Sequence, residues 1–203
     1  MRHAETAAPE FFHGAESDIG LSTWGDSQSV QVAQFLRDHA PATCAVYSSG
    51  MRRAIATATP IAEAFGIAPQ VVSSLHERKI GPLSGLPREQ GWETYVEAKR
   101  QWVNGNLDAT HKGGESFAEL RLRVLPAFEE IACRNRGETV VVVVHGVVIR
   151  VLLCSLLADY GPSGFDRIAI DFASINDLRF DGRAWRAERL NWVVAPSVSK
   201  PVA

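Results

Sequence analysis

Thr139-Val140-Val141-Val142-Val143-Val144-His145-Gly146 contains five valines in a row. A strand this apolar does not fit the edge of a sheet, so we expect a central strand over 139–144 that is buried on both faces. The His-Gly pair ends the strand, and a helical pattern over 147–157 follows directly. A buried strand that leads straight into a helix is typical of an α/β protein with a parallel sheet.

Helices and strands alternate along the rest of the chain. Apolar periodicity predicts helices over 23–39 with Thr23 as the N-cap, over 50–66, over about 89–103, and from the capping box Ser116-Phe-Ala-Glu119 to about 137. Pro60 should kink or split the second of these helices. Further strands are predicted at 44–49, 69–75, 167–172 and 176–180.

This alternation predicts a three-layer αβα sandwich with a mostly parallel central sheet and a small cap insertion. We assign residues 1–192 to a single domain and, within it, about 78–113 to the cap. Residues 193–203 have no pattern and are expected to form a loose tail.

Composition describes an ordinary globular protein of 203 residues with a net charge of −2 and a pI near 6.3. This balance gives no general attraction to nucleic acid or to an anionic membrane, so we expect neither as a partner. The three cysteines lie far apart without metal-ligand spacing, which indicates reduced thiols. There is no signal peptide and no apolar run near 18 residues, so a cytoplasmic location is expected. The oligomeric state cannot be read from the sequence.

Polar side chains gather at the carboxyl ends of four predicted strands. They are Arg2-His3, Ser48-Ser49 with Arg52-Arg53, Glu77 and His145. Ligands of open α/β sheets bind at this edge, so we expect these residues to meet in one site. The loop 7–20, which follows the first pair, is expected to form one wall of it.

These residue types suit phosphoryl transfer. The neutral imidazole of His3 can attack phosphorus, and Arg2 with one arginine of the Arg52-Arg53 pair can hold the phosphate oxygens. His145, at a strand-to-helix junction, can donate to the phosphate, and Glu77 can carry the proton of the leaving oxygen. We expect no metal and no cofactor, because positive side chains supply the charge that a cation would.

The remaining polar residues are given ordinary roles. Four histidines match no catalytic pattern and are expected at the surface or in loops: His13, His39, His76 and His111. Substrate contact is an open alternative for Arg78, Lys79 and Arg88, but a solvated cap loop is favoured for them, and Arg150 is assigned a structural role.

An ordered set of segments resembles the motifs of the histidine phosphatase superfamily, also named phosphoglycerate mutase-like. Arg2-His-Ala-Glu-Thr6 resembles its Arg-His-Gly-Glu-Thr, and Leu21-Ser-Thr-Trp-Gly-Asp-Ser-Gln28 resembles its Leu-Thr-x-x-Gly-x-x-Gln. Ser49-Gly-Met-Arg-Arg-Ala-Ile-Ala-Thr-Ala58 resembles Ser-x-Leu-x-Arg-Ala-x-x-Thr-Ala. The segment around Glu77, then Gly114-Glu115-Ser116, then the valine strand with its His-Gly pair follow in order and spacing, so the likeness extends from Arg2 to about Asn191.

The resemblance implies a metal-independent phosphatase that acts on a small phosphorylated substrate. By this likeness His3 becomes a phosphohistidine that water then hydrolyses, with Glu77 as proton donor and later as base. Arg2, Arg53 and His145 bind the phosphate, and Arg52 is left as the variable position of the third motif.

Departures from the family pattern keep other readings open. Ala4 replaces the signature glycine. Pro9 stands where the mutase branch usually has asparagine, and this argues, with the short insertion, against a cofactor-dependent phosphoglycerate mutase, although Glu77-Arg78 resembles mutases. A third reading is a catalytically inactive phosphate-binding member. The family places a whole strand before the Arg-His pair, where this sequence has Met1 alone, so we expect the true start to lie upstream.

Overall fold

The computed structural model describes residues 1–194, so most of the predicted tail 193–203 lies outside the described residues. The main elements are, in chain order, α1 (Thr23–His39), β1 (Thr43–Ser48), α2 (Arg52–Ala64), β2 (Gln70–Val71), α3 (Arg88–Val103), α4 (Phe117–Arg134), β3 (Thr139–Val143), α5 (Gly146–Leu156), β4 (Ile175–Phe180) and β5 (Trp185–Trp192). Short 3₁₀ helices cover Ser73–Leu75, Gly81–Leu83 and Pro162–Arg167. Within this part of the chain, no helix is both long and apolar enough to cross a membrane.

The central sheet is parallel and carries helices on both faces. Its ladder has the order β2-β1-β3. Successive side chains of β3 point to opposite faces, so Val141 and Val143 pack with α1 and α2, while Val142 packs with α4 and α5. These two apolar cores, one on each face, confirm the predicted three-layer αβα sandwich.

The valine strand has neighbours on both sides, as predicted. On the side away from β1, Arg2 forms a parallel bridge with Val144, and the His3 amide donates to the Val144 carbonyl at 2.9 Å. On its other side, the segment of Arg2 and His3 pairs with the segment 173–174: the Arg2 amide donates to the Ser174 carbonyl, and the Ala173 amide donates to the His3 carbonyl. The Arg-His pair therefore lies in the middle of the sheet rather than at its edge.

Several predicted elements are shorter than expected or absent. The strand predicted at 69–75 is β2 alone, followed by a 3₁₀ turn. The segment 167–172 is not a strand: Ile168 and Ile170 are buried, which explains the apolar alternation, but their carbonyls accept from arginine side chains. β4 pairs with β5 in an antiparallel hairpin that the sequence reading missed.

Helix α2 runs through Pro60 as one element, so of the two effects expected of Pro60, a kink or a split, the split does not occur. Proline removes the hydrogen bond to the carbonyl four residues earlier, and that residue, Ala56, is exposed, so water can satisfy the carbonyl. The N-cap of α1 is Ser22 rather than Thr23, because the Ser22 hydroxyl accepts from the Gly25 amide. The capping box at Ser116 is present as predicted.

The predicted cap contains α3, and the two ends of this segment are joined to each other. Its base is joined by an antiparallel bridge between Ile80 and Gly114, and the Glu115 amide donates to Lys79 at 2.9 Å. Phe12, from the loop after the Arg-His pair, packs on Ile80 and Leu83. The cap and this loop thus face each other across the edge of the sheet. The assignment of residues 1–192 to one domain stays a prediction.

Candidate active site

A cavity of about 390 Å³ opens at the carboxyl edge of the sheet. Four of the five predicted site residues line it: Arg2, His3, Arg53 and Glu77. The fifth, His145, is fully buried beside His3, with 5.1 Å between the two ring centroids. The fold therefore brings together side chains that lie far apart in the sequence, as the rule on strand ends predicted.

His3 is held as a neutral imidazole with one nitrogen lone pair available. Its Nδ1 lies 2.8 Å from the Ala4 carbonyl oxygen, which can only accept, so Nδ1 carries the proton and Nε2 keeps its lone pair. Burial holds the pKa of His3 well below its usual range, and the charges of Arg2 and Arg53 lower it further. A ring that stays unprotonated at neutral pH is suited to nucleophilic attack.

The guanidinium groups of Arg2 and Arg53 line the cavity, and within residues 1–194 neither has a carboxylate partner. Arg2 Nη1 donates to the Ile170 carbonyl at 2.8 Å; Arg53 donates from Nη1 to Ser17 at 2.8 Å and from Nη2 to Gly14 at 3.3 Å. Each Nε is buried without a partner, and neither guanidinium forms an ion pair within residues 1–194. Burial lowers the pKa of Arg2 to about 10, so it remains charged at neutral pH. Together the two groups suit a compact anion.

His145 is oriented by a serine of the third motif. Its Nε2 lies 2.7 Å from the Ser49 hydroxyl, which also accepts weakly from the Met51 amide, while its buried Nδ1 has no partner within residues 1–194. If the hydroxyl donates to Nε2, the proton of the neutral ring is on Nδ1. Burial holds the pKa of His145 well below its usual range, and Arg53 lowers it further. His145 is also the N-cap of α5, whose free amides favour an anion.

Glu77 lines the cavity and contacts the N-terminus of α5. Its Oε1 accepts from the Arg78 amide at 2.9 Å, and its Oε2 accepts from the Val147 amide at 3.4 Å. The turn that presents Glu77 is held by Arg123, which donates to carbonyls of this turn and pairs with Glu115 at 2.8 Å. A carboxylate fixed in this way can exchange a proton with a group bound in the cavity.

The second and third motifs hold the backbone of the first one in place. The Ser22 amide donates to the Glu5 carbonyl, and Gln28 Oε1 accepts from the Glu5 amide at 2.9 Å. The Thr57 hydroxyl accepts from the Ala4 amide at 3.0 Å. The ordered motifs are therefore parts of one hydrogen-bonded unit around His3.

Gly25 provides a test of this unit, because a Cβ there would lie 2.1 Å from the Glu5 carbonyl oxygen. We expect Gly25→Ala to lower the free energy of unfolding by about 3 kcal/mol, or roughly 6 to 12 °C in Tm for a chain of this length. Gly20→Ala is the matched control, since nothing lies within 4 Å of its added Cβ. Equal thermal stability of the two variants would contradict the close packing of α1 on the first motif.

Comparison with known proteins decides the family. The sequence model of the histidine phosphatase superfamily (branch 1) matches residues 1–193. The chain belongs to this superfamily. The resemblance of the motifs in the sequence is thereby confirmed over the length that it was expected to cover.

Members of the superfamily with assigned names share much of the sequence. An Arabidopsis thaliana protein named metal-independent phosphoserine phosphatase is 38% identical over 192 residues, covering 91% of this chain and 79% of its own. Phosphoserine phosphatase 1 of Hydrogenobacter thermophilus is 36% identical, covering 90% of this chain and 86% of its own. A solved mycobacterial glucosyl-3-phosphoglycerate phosphatase has a TM-score of 0.81 at 26% identity, covering 94% of this chain and 96% of its own.

Two positions in the segment that follows His3 depart from the superfamily motifs. Ala4 is not among the non-glycine residues with positive φ in the described chain, so it can replace the signature glycine without backbone strain. Pro9 lines the cavity, so this chain lacks there the side-chain amide of the asparagine that the mutase branch usually has. In the third motif, Arg53 is buried at the cavity and Arg52 is exposed, as the family pattern implied.

A second group of residues that the sequence did not assign to the site also lines the cavity: His13, Arg78, Arg88, Tyr95, Lys99 and Arg150. For Arg78 and Arg88 the sequence left substrate contact open but favoured a solvated loop. Arg78 is fully buried, so its assignment to a solvated loop is wrong. Its position directly after Glu77 was an available signal. Tyr95 and Lys99 lie one turn apart on α3, but the sequence could not indicate which face of that helix meets the cavity. Within residues 1–194, no three His, Cys, Asp or Glu side chains are grouped to hold a metal ion.

The two buried histidines predict how stability depends on pH. The folded protein keeps His3 and His145 neutral, whereas the unfolded chain protonates both near the ordinary value of 6.5. Below that pH the unfolded state binds more protons, so the free energy of unfolding falls as pH falls, by up to about 1.4 kcal/mol per pH unit for each histidine.

This pH dependence can be measured by denaturant unfolding between about pH 7.5 and about pH 5.5 in a buffer without phosphate. We expect His3→Gln to show a shallower fall in the free energy of unfolding than the wild type. His39→Gln, at an exposed position, should keep the wild-type slope. The same slope for all three proteins would show that His3 is not held neutral by burial.

Proposed function

We propose that this protein is a metal-independent phosphatase that hydrolyses a phosphomonoester through a phosphohistidine on His3. In this proposal Arg2, Arg53 and His145 bind the phosphate, and Glu77 is the proton donor. The observation that carries it is the neutral His3 ring, with an available Nε2 lone pair, beside two guanidinium groups that form no ion pair within residues 1–194. Membership of the histidine phosphatase superfamily supports the same reaction.

The first step transfers the phosphoryl group to the enzyme. The Nε2 lone pair of His3 forms a bond to phosphorus while the bond from phosphorus to the ester oxygen breaks. The protonated Glu77 gives its proton to that oxygen, so the product leaves as an alcohol. Arg2 and Arg53 stabilise the charge on the equatorial oxygens, and the Nδ1–H of His145 can donate to one of them.

The second step returns the enzyme to its starting state. Water attacks phosphorus, the bond to Nε2 breaks, and the Glu77 carboxylate accepts a proton from the water. The sum of both steps is the conversion of a phosphomonoester and water into an alcohol and inorganic phosphate. The residues that carry the charge are all side chains of this protein, so no step is assigned to a metal or cofactor.

The substrate is proposed to be a small phosphorylated metabolite. Two relatives at 36–38% identity carry the name phosphoserine phosphatase, which makes phosphoserine the first compound to assay. The cavity of about 390 Å³ admits a small molecule. A cytoplasmic site of action, with no nucleic acid and no membrane as partner, is part of this proposal and is consistent with the net charge of −2.

The proposal is tested by product analysis in the presence of EDTA. Phosphoserine and 3-phosphoglycerate are each incubated with the protein, and inorganic phosphate and phosphoglycerate isomers are measured. Release of phosphate that resists the chelator supports the phosphatase. Interconversion of phosphoglycerates primed by a bisphosphate would instead show the mutase, and no turnover of any monoester would favour the inactive member.

The role of Glu77 depends on the leaving group. Glu77→Gln should lower kcat/KM for phosphoserine by about 10²- to 10³-fold, because the alkoxide leaving group needs a proton. p-Nitrophenyl phosphate releases a stabilised phenolate that does not, so its transfer step should be affected much less. Glu89→Gln, at an exposed position on α3, is the matched control. Equal losses on both substrates would contradict a proton-donor role.

A further inference from the structure

The cavity carries more positive charge than one phosphate group needs. Beyond Arg2 and Arg53, four more cationic side chains line it: Arg78, Arg88, Lys99 and Arg150. Glu77 supplies the one carboxylate among the residues that line the cavity. Within residues 1–194 none of the four extra cations forms an ion pair. A bound phosphomonoester dianion, together with the Glu77 carboxylate, would therefore leave three of these six positive charges unmatched.

These extra cations are anchored in defined positions by neutral groups. Arg150 Nε donates to the Ile168 carbonyl at 2.7 Å, two residues from the carbonyl that holds Arg2. Arg88 Nε donates to the Pro9 carbonyl at 2.9 Å. Each anchor leaves other N–H groups of the guanidinium available. Fixed cations with free donors are characteristic of a built anion site rather than of solvated surface residues.

Arg78 is the most constrained member of the group. It is fully buried, its Nε donates to the Glu115 carbonyl at 2.7 Å, and its Cζ lies 4.6 Å from the centroid of the Trp102 ring. Its Nη1, however, is buried with no hydrogen-bond partner among the described residues. An unsatisfied donor on a buried cation is costly unless a ligand completes it.

Lys99 and Tyr95 form the wall that α3 presents to the cavity. The Lys99 ammonium lies 3.8 Å from the centroid of the Tyr95 ring. Burial lowers the pKa of Lys99, and Lys99 is the nearby charge that most lowers the pKa of Tyr95. Arg150 and Lys99 both approach the Phe165 ring, at 5.8 Å and 5.9 Å from its centroid, and the charge of Arg150 is among the causes that lower the pKa of Lys99. Lys99 and Tyr95 on α3 and Arg150 on α5 thus place donors from two different helices in the lining of one cavity.

We propose that Lys99 and Arg150, with Tyr95, form a second anion subsite that binds a carboxylate or second phosphate of the substrate. This rests on the proposed function, because Arg2 and Arg53 are taken to hold the phosphate that is transferred. It narrows the substrate class to phosphomonoesters with another anionic group within the same small molecule. Singly anionic esters would reach the nucleophile but leave this subsite empty.

The test measures binding, so that it does not depend on turnover. Titration calorimetry compares methylphosphonate, which has one anionic group, with phosphonoacetate, 3-phosphonopropionate, 4-phosphonobutyrate and methylenediphosphonate. At least one doubly anionic ligand should bind the wild type about tenfold or more tightly than methylphosphonate. Chain length reports the spacing of the two subsites, and the bisphosphonate separates carboxylate from phosphate as the preferred group.

Lys99→Met and Arg150→Met should each reduce this ratio of Kd values by about fivefold or more, because methionine keeps the length of the side chain without its charge. Lys112→Met, an exposed position outside the cavity, should keep the wild-type ratio. The inference is overturned if every doubly anionic ligand binds within twofold of methylphosphonate, or if both substitutions leave the ratio unchanged. Hydrolysis of p-nitrophenyl phosphate, measured separately, reports failure of the phosphatase proposal itself.

Discussion

Replacing His3 by alanine is expected to abolish phosphomonoester hydrolysis, with a loss of about 10⁴-fold or more in kcat/KM. The nucleophile is the one group whose loss prevents formation of the covalent intermediate, whichever ester is supplied. The loss should therefore be equally large for p-nitrophenyl phosphate and for phosphoserine. Steady-state release of inorganic phosphate in the presence of EDTA measures it.

The control for this variant is His39→Ala, since His39 is exposed near the end of α1 and does not line the cavity. It should keep wild-type activity. The His3 variant should also remain folded, because the substitution removes a neutral ring and leaves no buried charge unpaired. The arginines that bind phosphate should stay in place, since backbone carbonyls hold them. Residual turnover in His3→Ala within tenfold of the wild type would show that another group attacks phosphorus.

Arg53→Met is expected to lower kcat/KM by about 10³- to 10⁵-fold, the size of effect seen when a cation that contacts a transferring phosphoryl group is removed. Arg53 is 1% exposed, forms no ion pair in the part of the chain that the structure describes, and reaches the cavity from the first turn of α2. Methionine keeps most of the packing volume, so the loss reports charge and hydrogen bonding rather than a cavity.

Arg52→Met is the matched control, because Arg52 is the adjacent residue, is exposed and does not line the cavity. We expect activity within about twofold of the wild type, as for most surface substitutions. Inhibition by inorganic phosphate should weaken in Arg53→Met and stay unchanged in Arg52→Met. If the two variants lost activity to the same degree, the assignment of the phosphate site to Arg53 would be wrong.

The position of the site could be predicted from the sequence because it depends on the order of strands and helices rather than on details of packing. Residues at the carboxyl ends of parallel strands share one edge of the sheet, whatever the details of packing. Arg2-His3, Arg53 and Glu77 line one cavity for that reason. His145 lies behind them, since the N-cap position of α5 turns its ring toward His3 and Ser49.

The cationic lining was missed because it depends on how the cap packs. Lys99 is four residues from Tyr95, so a helix puts both on one face, but the spacing is the same for solvent-facing pairs. Arg150 looked structural for a good reason, since its Nε does bind a carbonyl. Only the placement of the segment 168–172 shows that the remainder of this guanidinium faces the cavity.

Errors in the fold had local causes. The alternating segment 167–172 buries its isoleucines but uses its carbonyls to hold Arg2 and Arg150, so it satisfies its backbone without a ladder. The β4–β5 hairpin was signalled by Asp181-Gly182, a pair that favours tight hairpin turns. In the structure Gly182 has a positive φ, and the Asp181 carboxylate accepts from two amides of the turn.

The central claim is that His3 becomes covalently phosphorylated during turnover. It is tested by mixing the protein with phosphoserine or p-nitrophenyl phosphate, quenching in alkali, where phosphohistidine survives, and mapping the modified peptide by mass spectrometry. With p-nitrophenyl phosphate, whose transfer step does not need the proton of Glu77, Glu77→Gln should increase the trapped fraction by slowing hydrolysis of the intermediate. We predict one phosphoryl group on the peptide that contains His3, and none in His3→Ala. Active protein that never carries phosphate at His3, or carries it at another residue, would contradict the proposed mechanism.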